Sequence, residues 1–216
     1  MRVYKVTLNE DELREHFGDN SLVIAYRHGE AVALECNPAV KPGAYSKQSV
    51  RHAIEKFELP GIKYGECEIW LYHNQKLIKL AQIGSVQNHL IRAIMTFIAR
   101  VIGYARMMNW KLTDVKLTWI FLDYEVYLFL FENERAHLFS MSYVVTKKQF
   151  RRLVGFEVRH IGHGIGHYSE DAITIALEDK SIAFYNDPDT GKMKIIENEL
   201  ITVHDMIPIR DANNKQ

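Results

Sequence analysis

Three of the ten histidines fall within eight residues, in the run Arg159-His160-Ile161-Gly162-His163-Gly164-Ile165-Gly166-His167-Tyr168. Neutral imidazole nitrogens are ordinary ligands of a divalent metal, and three protein ligands with a water in the open position is the usual form of a catalytic zinc site. His160, His163 and His167 are therefore the candidate metal ligands, with zinc or manganese as the ion and Glu170 or Asp171 as an outer partner. Their i, i+3, i+7 spacing would align them on a helix, but three interleaved glycines would each cost that helix about 1 kcal/mol relative to alanine. The segment reads instead as a loop or a glycine-kinked strand. In a regular strand His163 and His167 share one face and His160 points to the other, so a three-histidine site needs a bend. Gly162, Gly164 and Gly166 also admit a different chemistry, a backbone nest for a phosphate with the histidines as extra donors.

The string Gly162-His163-Gly164-Ile165-Gly166 resembles the local histidine motif of the methionine aminopeptidases and their relatives. That resemblance implies a metal-ligand role for His163. It covers these five residues only: the two upstream aspartates and two downstream glutamates that bridge a metal pair in that family have no counterparts, since Asp114, Asp123, Glu197 and Glu199 lie in no matching motif. No GxSxG, Walker loop, HExxH or paired CxxC occurs elsewhere. Cys36 and Cys67 supply neither a disulfide framework nor a thiolate zinc site, and read as core residues in a reducing compartment.

A second chemistry is suggested by the charge map. Twenty-seven basic residues balance twenty-seven acidic ones, which excludes a protein that coats nucleic acid by global charge. The balance is uneven along the chain. Between Ile69 and Thr113 there is no acid, while residues 170–205 hold nine acids against three lysines. His89, Arg92, Thr96 and Arg100 recur at helical spacing and would form a basic ridge. Lys147, Lys148, Arg151 and Arg152 would project from a short helix packed through Phe150, Leu153 and Val154. Arg92, Arg100, Lys147, Lys148, Arg151 and Arg152 are thus the candidate contacts to nucleic acid or to an acidic protein surface.

The elements that must position these groups are legible in outline. At 216 residues, 47% hydrophobic and 25% charged, the chain has ordinary globular composition and enough length for a real core. Residues 3–8 alternate like a strand, and Asn9 with Glu12 starts a helix. Two strands follow around His28-Gly29, then a loop, a helix over 46–58 ended by Pro60-Gly61, and a hairpin turning at Asn74-Gln75. Residues 85–110 have the 3.6 period of a long central helix. After it come three runs rich in β-branched and aromatic residues, VKLTWIFL, EVYLFLF and HLFSMSYVV, whose near-continuous hydrophobicity predicts strands covered on both faces.

The predicted class is α+β, with mostly antiparallel sheets around a long central helix. The sheets form either two β-α-β-β halves or one continuous domain, an architecture that occurs in processivity clamps and in many unrelated folds. The halves are residues 1–83 and 113–216, with the central helix in 84–112. The N-terminus lacks the apolar region of a signal peptide, and Leu90 to Met108 is interrupted by three arginines, so the expectation is a soluble, cytoplasmic chain without a membrane partner. The preferred function is a non-catalytic binding or accessory protein, homo-oligomeric and compatible with a viral or mobile-element source, that contacts nucleic acid or an acidic partner through basic helices. The alternatives are a small metal-dependent hydrolase built on His160, His163 and His167, and a structural assembly protein that uses its apolar hairpins as interfaces.

Overall fold

A computed structural model describes residues 2–36, 66–84, 88–120, 125–145, 153–189 and 193–198. Among these, twelve strands and two helices form two antiparallel sheets. The first sheet contains β1 (Val3–Val6), β2 (Leu22–Arg27), β3 (Glu30–Glu35), β4 (Cys67–His73) and β5 (Lys76–Ile83), in the order β1-β3-β2-β4-β5. The second runs β12-β11-β10-β9-β8-β7-β6 and contains β6 (Asp114–Ile120), β7 (Glu125–Glu132), β8 (Arg135–Val145), β9 (Leu153–Tyr168), β10 (Ala172–Ala176), β11 (Ser181–Asn186) and β12 (Met193–Asn198). Its two edge strands, β12 and β6, come into contact, so the sheet rolls into an open barrel.

Local chemistry starts and stops these elements as expected. The Asn9 side chain accepts hydrogen bonds from the backbone N–H of Asp11 and Glu12 and caps α1 (Glu10–Phe17). His28 and Gly29, and then Asn74 and Gln75, take positive φ in the two-residue turns of their hairpins. The second helix, α2 (Asn88–Met107), is the predicted central helix, shorter at both ends. It ends where Asn109 takes φ 56°, a left-handed conformation that turns the chain back toward the sheet.

Four layers result: α1, the first sheet, α2 and the second sheet. The main core lies around α2, where Val23, Ile69 and Ile83 of one sheet face Leu128, Phe139 and Val158 of the other. Alternate residues supply two outer cores. Leu22, Ile24 and Tyr72 pack under Leu13 of α1, while Phe129, Phe131, Leu138, Ile175 and Phe184 fill the roll of the second sheet. Both faces of β2 and β7 are therefore covered, as their unbroken hydrophobicity predicts.

The two sheets differ in strand order. In the first sheet β1 lies beside β3, whereas β8 pairs with β7 and β9 and has no contact in register with β11. The predicted helix over 46–58 lies outside the described residues. So does most of the short basic helix predicted over 147–154; its last two residues, Leu153 and Val154, belong to β9. No helix among the described residues is long and apolar enough to cross a membrane.

Candidate metal centre

The histidine segment is strand, not loop: it is the second half of the sixteen-residue β9. Along β8 the residues on the face toward α2 are Met141, Phe139, His137 and Arg135, and the first two belong to the main core. On β7 the same face carries Leu128, Leu130 and Glu132. The core face thus emerges from beneath the end of α2 and becomes polar within one residue on each strand. His137 and Glu132 stand at that border.

The pairing of β9 with β8 brings two more imidazoles to it. His163 lies directly opposite His137, and His160 opposite Phe139. Gly162 pairs with Leu138, so Ile161 is one extra residue, and the ladder shifts register between Leu138 and Phe139. This β-bulge supplies the bend that the sequence requires, and it puts His160 and His163 on the same face despite their spacing of three. His137, His160 and His163 each present a ring nitrogen, all within 4.8 Å of one another. A tetrahedral ion with bonds of about 2.0–2.1 Å needs donors about 3.3 Å apart, a contraction within reach of small side-chain rotations.

The three rings are held by different neighbours. Trp110, returned to the sheet by the Asn109 turn, stacks on His137 with ring centroids 3.6 Å apart and planes 16° from parallel. Phe139 stacks on His160 at 4.5 Å. His137 Nε2 lies 3.3 Å from a Glu132 carboxylate oxygen, whose other oxygen accepts from the Lys111 backbone N–H at 2.6 Å. That leaves His137 Nδ1 buried with no hydrogen-bond partner, in a side chain only 3% exposed. An orphaned buried nitrogen costs about 1–3 kcal/mol. A metal at Nδ1 would remove that cost, with Glu132 orienting the ring through the opposite nitrogen as carboxylates do for zinc-bound histidines.

Electrostatics favour the neutral form, the one a metal takes, at His137 and His160. Burial pushes the His137 imidazole down to about 4; the Glu132 hydrogen bond opposes this, while His160 and Arg135 add to it. Partial burial and the charge of His163 also lower His160, against a hydrogen bond to the Gly162 backbone. His160 and His163 are exposed, so the side of the triad away from His137 faces solvent. Three neutral nitrogen donors suit zinc rather than manganese, which favours oxygen ligands.

Sequence reasoning selected two of these three residues and missed His137, Glu132 and Trp110. The available signal was a histidine at the head of the apolar run HLFSM. His167 is not part of the cluster: it pairs with Thr174 on β10, four residues beyond His163 along the strand. Glu170 and Asp171 are exposed beyond it and do not partner these imidazoles. No anion nest forms, because Gly162, Gly164 and Gly166 are extended strand residues without positive φ. Their role is close approach. A Cβ on Gly164 would sit 1.6 Å from the Ala176 carbonyl oxygen, and one on Gly162 3.1 Å from a Leu177 methyl.

Among the described residues no carboxylate pair joins the aminopeptidase-like string either. Asp114 is bound to Lys116, and Glu197 to Lys180, while Asp123 and Glu199 lie outside the described residues. The basic ridge on α2 is not an exposed surface: Thr96 is fully buried, its hydroxyl donating to the Arg92 carbonyl, and Arg92 and Arg100 are half-buried between the sheets. Lys147, Lys148, Arg151 and Arg152 lie outside the described residues. Cys36 and Cys67 are buried as expected, and burial raises both thiols, Cys67 to about 11. No protein-family model matches the chain, and comparison with curated protein sequences finds no relative.

Proposed function

We propose that this protein is a metal-dependent hydrolase whose centre is a zinc ion held by His137, His160 and His163. The observation that carries the reading is the convergence of three imidazoles, one of them the buried His137 whose Nδ1 has no hydrogen-bond partner, with the other two rings open to solvent. A bound zinc would supply a water that ionises near neutral pH. The chain's own residues do the rest. His137 is the fixed ligand, clamped between Trp110 and Glu132, while His160 and His163 close the site from the strand that carries the bulge. The fourth position stays open because no fourth side chain among the described residues joins the cluster.

Elemental analysis of the tag-free full chain tests this directly. The expected result is about one zinc per chain, lost in His137→Ala and His163→Ala and retained in His167→Ala, together with chelator-sensitive cleavage of an activated ester or phosphoester. Absence of bound metal after equilibration with micromolar zinc overturns the reading. Zinc that survives His137→Ala overturns the ligand assignment. Stoichiometric zinc without any chelator-sensitive hydrolysis overturns the enzymatic part.

A further inference from the structure

The residues beyond the triad point to what the open position takes. On β8, Arg135 precedes His137 by two residues and shares its face, about 7 Å away along the strand. It is exposed and has no ion pair among the described residues. Its direct cross-strand neighbour is Glu132, the natural partner for a guanidinium. The Glu132 carboxylate is engaged elsewhere, by His137 Nε2 and the Lys111 backbone N–H. Arg135 therefore stands beside the histidine cluster as a cation whose cross-strand acid is already engaged by His137 and Lys111.

Charge makes this arrangement selective. Three imidazoles are neutral donors, so a divalent ion among them keeps its full double charge. With a bound divalent ion, the centre and Arg135 would carry three positive charges, against the Glu132 carboxylate that touches His137 and the exposed Glu134 next to Arg135 in the chain. An anion is the matching ligand. Geometry narrows its class: one oxygen must reach the metal while others meet the two-pronged guanidinium, which favours planar, bidentate contact with oxyanions. A phosphoryl group has three terminal oxygens and can do both at once. A carboxylate has two and must give up either the metal contact or the fork.

We propose that the open coordination position and Arg135 together form a phosphoryl site, and that the substrate class of this centre is a phosphate monoester. The inference rests on the metal reading given above. In the corresponding hydrolysis the ion would expand to five ligands to hold a phosphoryl oxygen beside its water; that water would give a proton to solvent, and its oxygen would form the new bond to phosphorus. The bond from phosphorus to the ester oxygen breaks, and the departing alkoxide takes a proton from solvent water. Arg135 is not a metal ligand; it holds the phosphoryl oxygens that the metal does not.

Cobalt(II) substituted into the full-length protein gives a visible spectrum that reports on the fourth ligand. Inorganic phosphate should shift that spectrum saturably, and acetate should do so at least tenfold more weakly. Arg135→Gln should bind cobalt with an unchanged starting spectrum and weaken phosphate by tenfold or more, the scale of a charge-assisted hydrogen-bonded pair. Arg135→Lys should recover part of that loss, since it restores charge without the fork. If cobalt binds but phosphate leaves the spectrum unmoved, the phosphoryl site is wrong while the metal centre stands. Acetate binding as tightly as phosphate overturns the assignment to phosphoryl groups, and equal phosphate affinity in Arg135→Gln removes Arg135 from the site. Failure of cobalt to bind overturns the centre itself and this inference with it.

Discussion

Acidifying the metal-free protein should unfold it sooner than its carboxylates alone would, because of one buried ring. His137 is 2% exposed, and burial lowers its imidazole from an ordinary 6.5 to about 4. Between those two values the unfolded chain carries a proton at this position and the folded chain does not. The unfolded state therefore binds more protons, and stability falls as the pH is lowered through that window, with no further loss from this group below about pH 4. At 1.36 kcal/mol per unit the full effect is about 3 kcal/mol, of which about 2 kcal/mol is gone by pH 5. Glu132 already works against the shift, and His160 and Arg135 are the other charged or titrating groups that act on the ring. The assay is urea unfolding in chelator between about pH 7.5 and about pH 5, on the wild type and on His137→Phe, which keeps an aromatic ring against Trp110 but cannot titrate. The wild type should lose about 2 kcal/mol more than the variant over that range. Parallel pH profiles for the two proteins would refute the argument, as would a His137 resonance that titrates near 6.5 in the folded protein.

Three further outcomes follow from single side chains. Gly164→Ala should destabilise the fold by about 3 kcal/mol or more, because its Cβ meets a backbone carbonyl that cannot yield, while Gly162→Ala meets a flexible Leu177 side chain and should cost under about 1 kcal/mol; thermal unfolding of the two variants distinguishes them. Asn9→Ala removes the acceptor for two backbone N–H groups at the start of α1 and should cost about 1 kcal/mol by denaturant unfolding. Ser21→Ala deprives the buried His73 Nδ1 of its 2.7 Å hydrogen bond and should cost about 1–3 kcal/mol by the same measurement, without affecting bound metal.

Much of the fold is written in local signals that tertiary structure does not override. The Asn9 cap, the His28-Gly29 and Asn74-Gln75 turns and the 3.6 period of α2 each act over a few residues. The doubly buried strands are legible for a related reason: β7 offers Val126, Leu128 and Leu130 to the main core and Phe129 and Phe131 to the barrel, so it has no face left for water. What periodicity could not convey is the environment of a polar residue on a helix. Arg92, Thr96 and Arg100 sit opposite the strongest apolar stripe of α2, where a surface helix would meet solvent. Here a second sheet covers that side, and a sequence pattern records which residues share a face but not what lies against it.

The same limit explains why the centre was half visible. His160 and His163 are close in sequence, and the requirement for a bend follows from strand alternation alone. The bend itself depends on the partner strand. Nothing in His160-Ile161-Gly162-His163 specifies that Ile161 is the unpaired residue; that is set by β8, where Phe139 occupies the main core and stacks on His160 while His137 meets His163. A register shifted by one residue would turn His163 to the barrel face, into the place of Gly162 or Gly164, where Leu177 or the Ala176 carbonyl leaves no room for a side chain. The glycines therefore do indirect chemical service. By letting β10 approach the backbone of β9, they leave one register in which the alternating histidines face away from the barrel, and in that register a third imidazole, twenty-three residues upstream of His160, lies opposite them. His137 was hidden because its significance arises from pairing, and its buried, unpartnered Nδ1 is the feature on which the proposed metal centre rests.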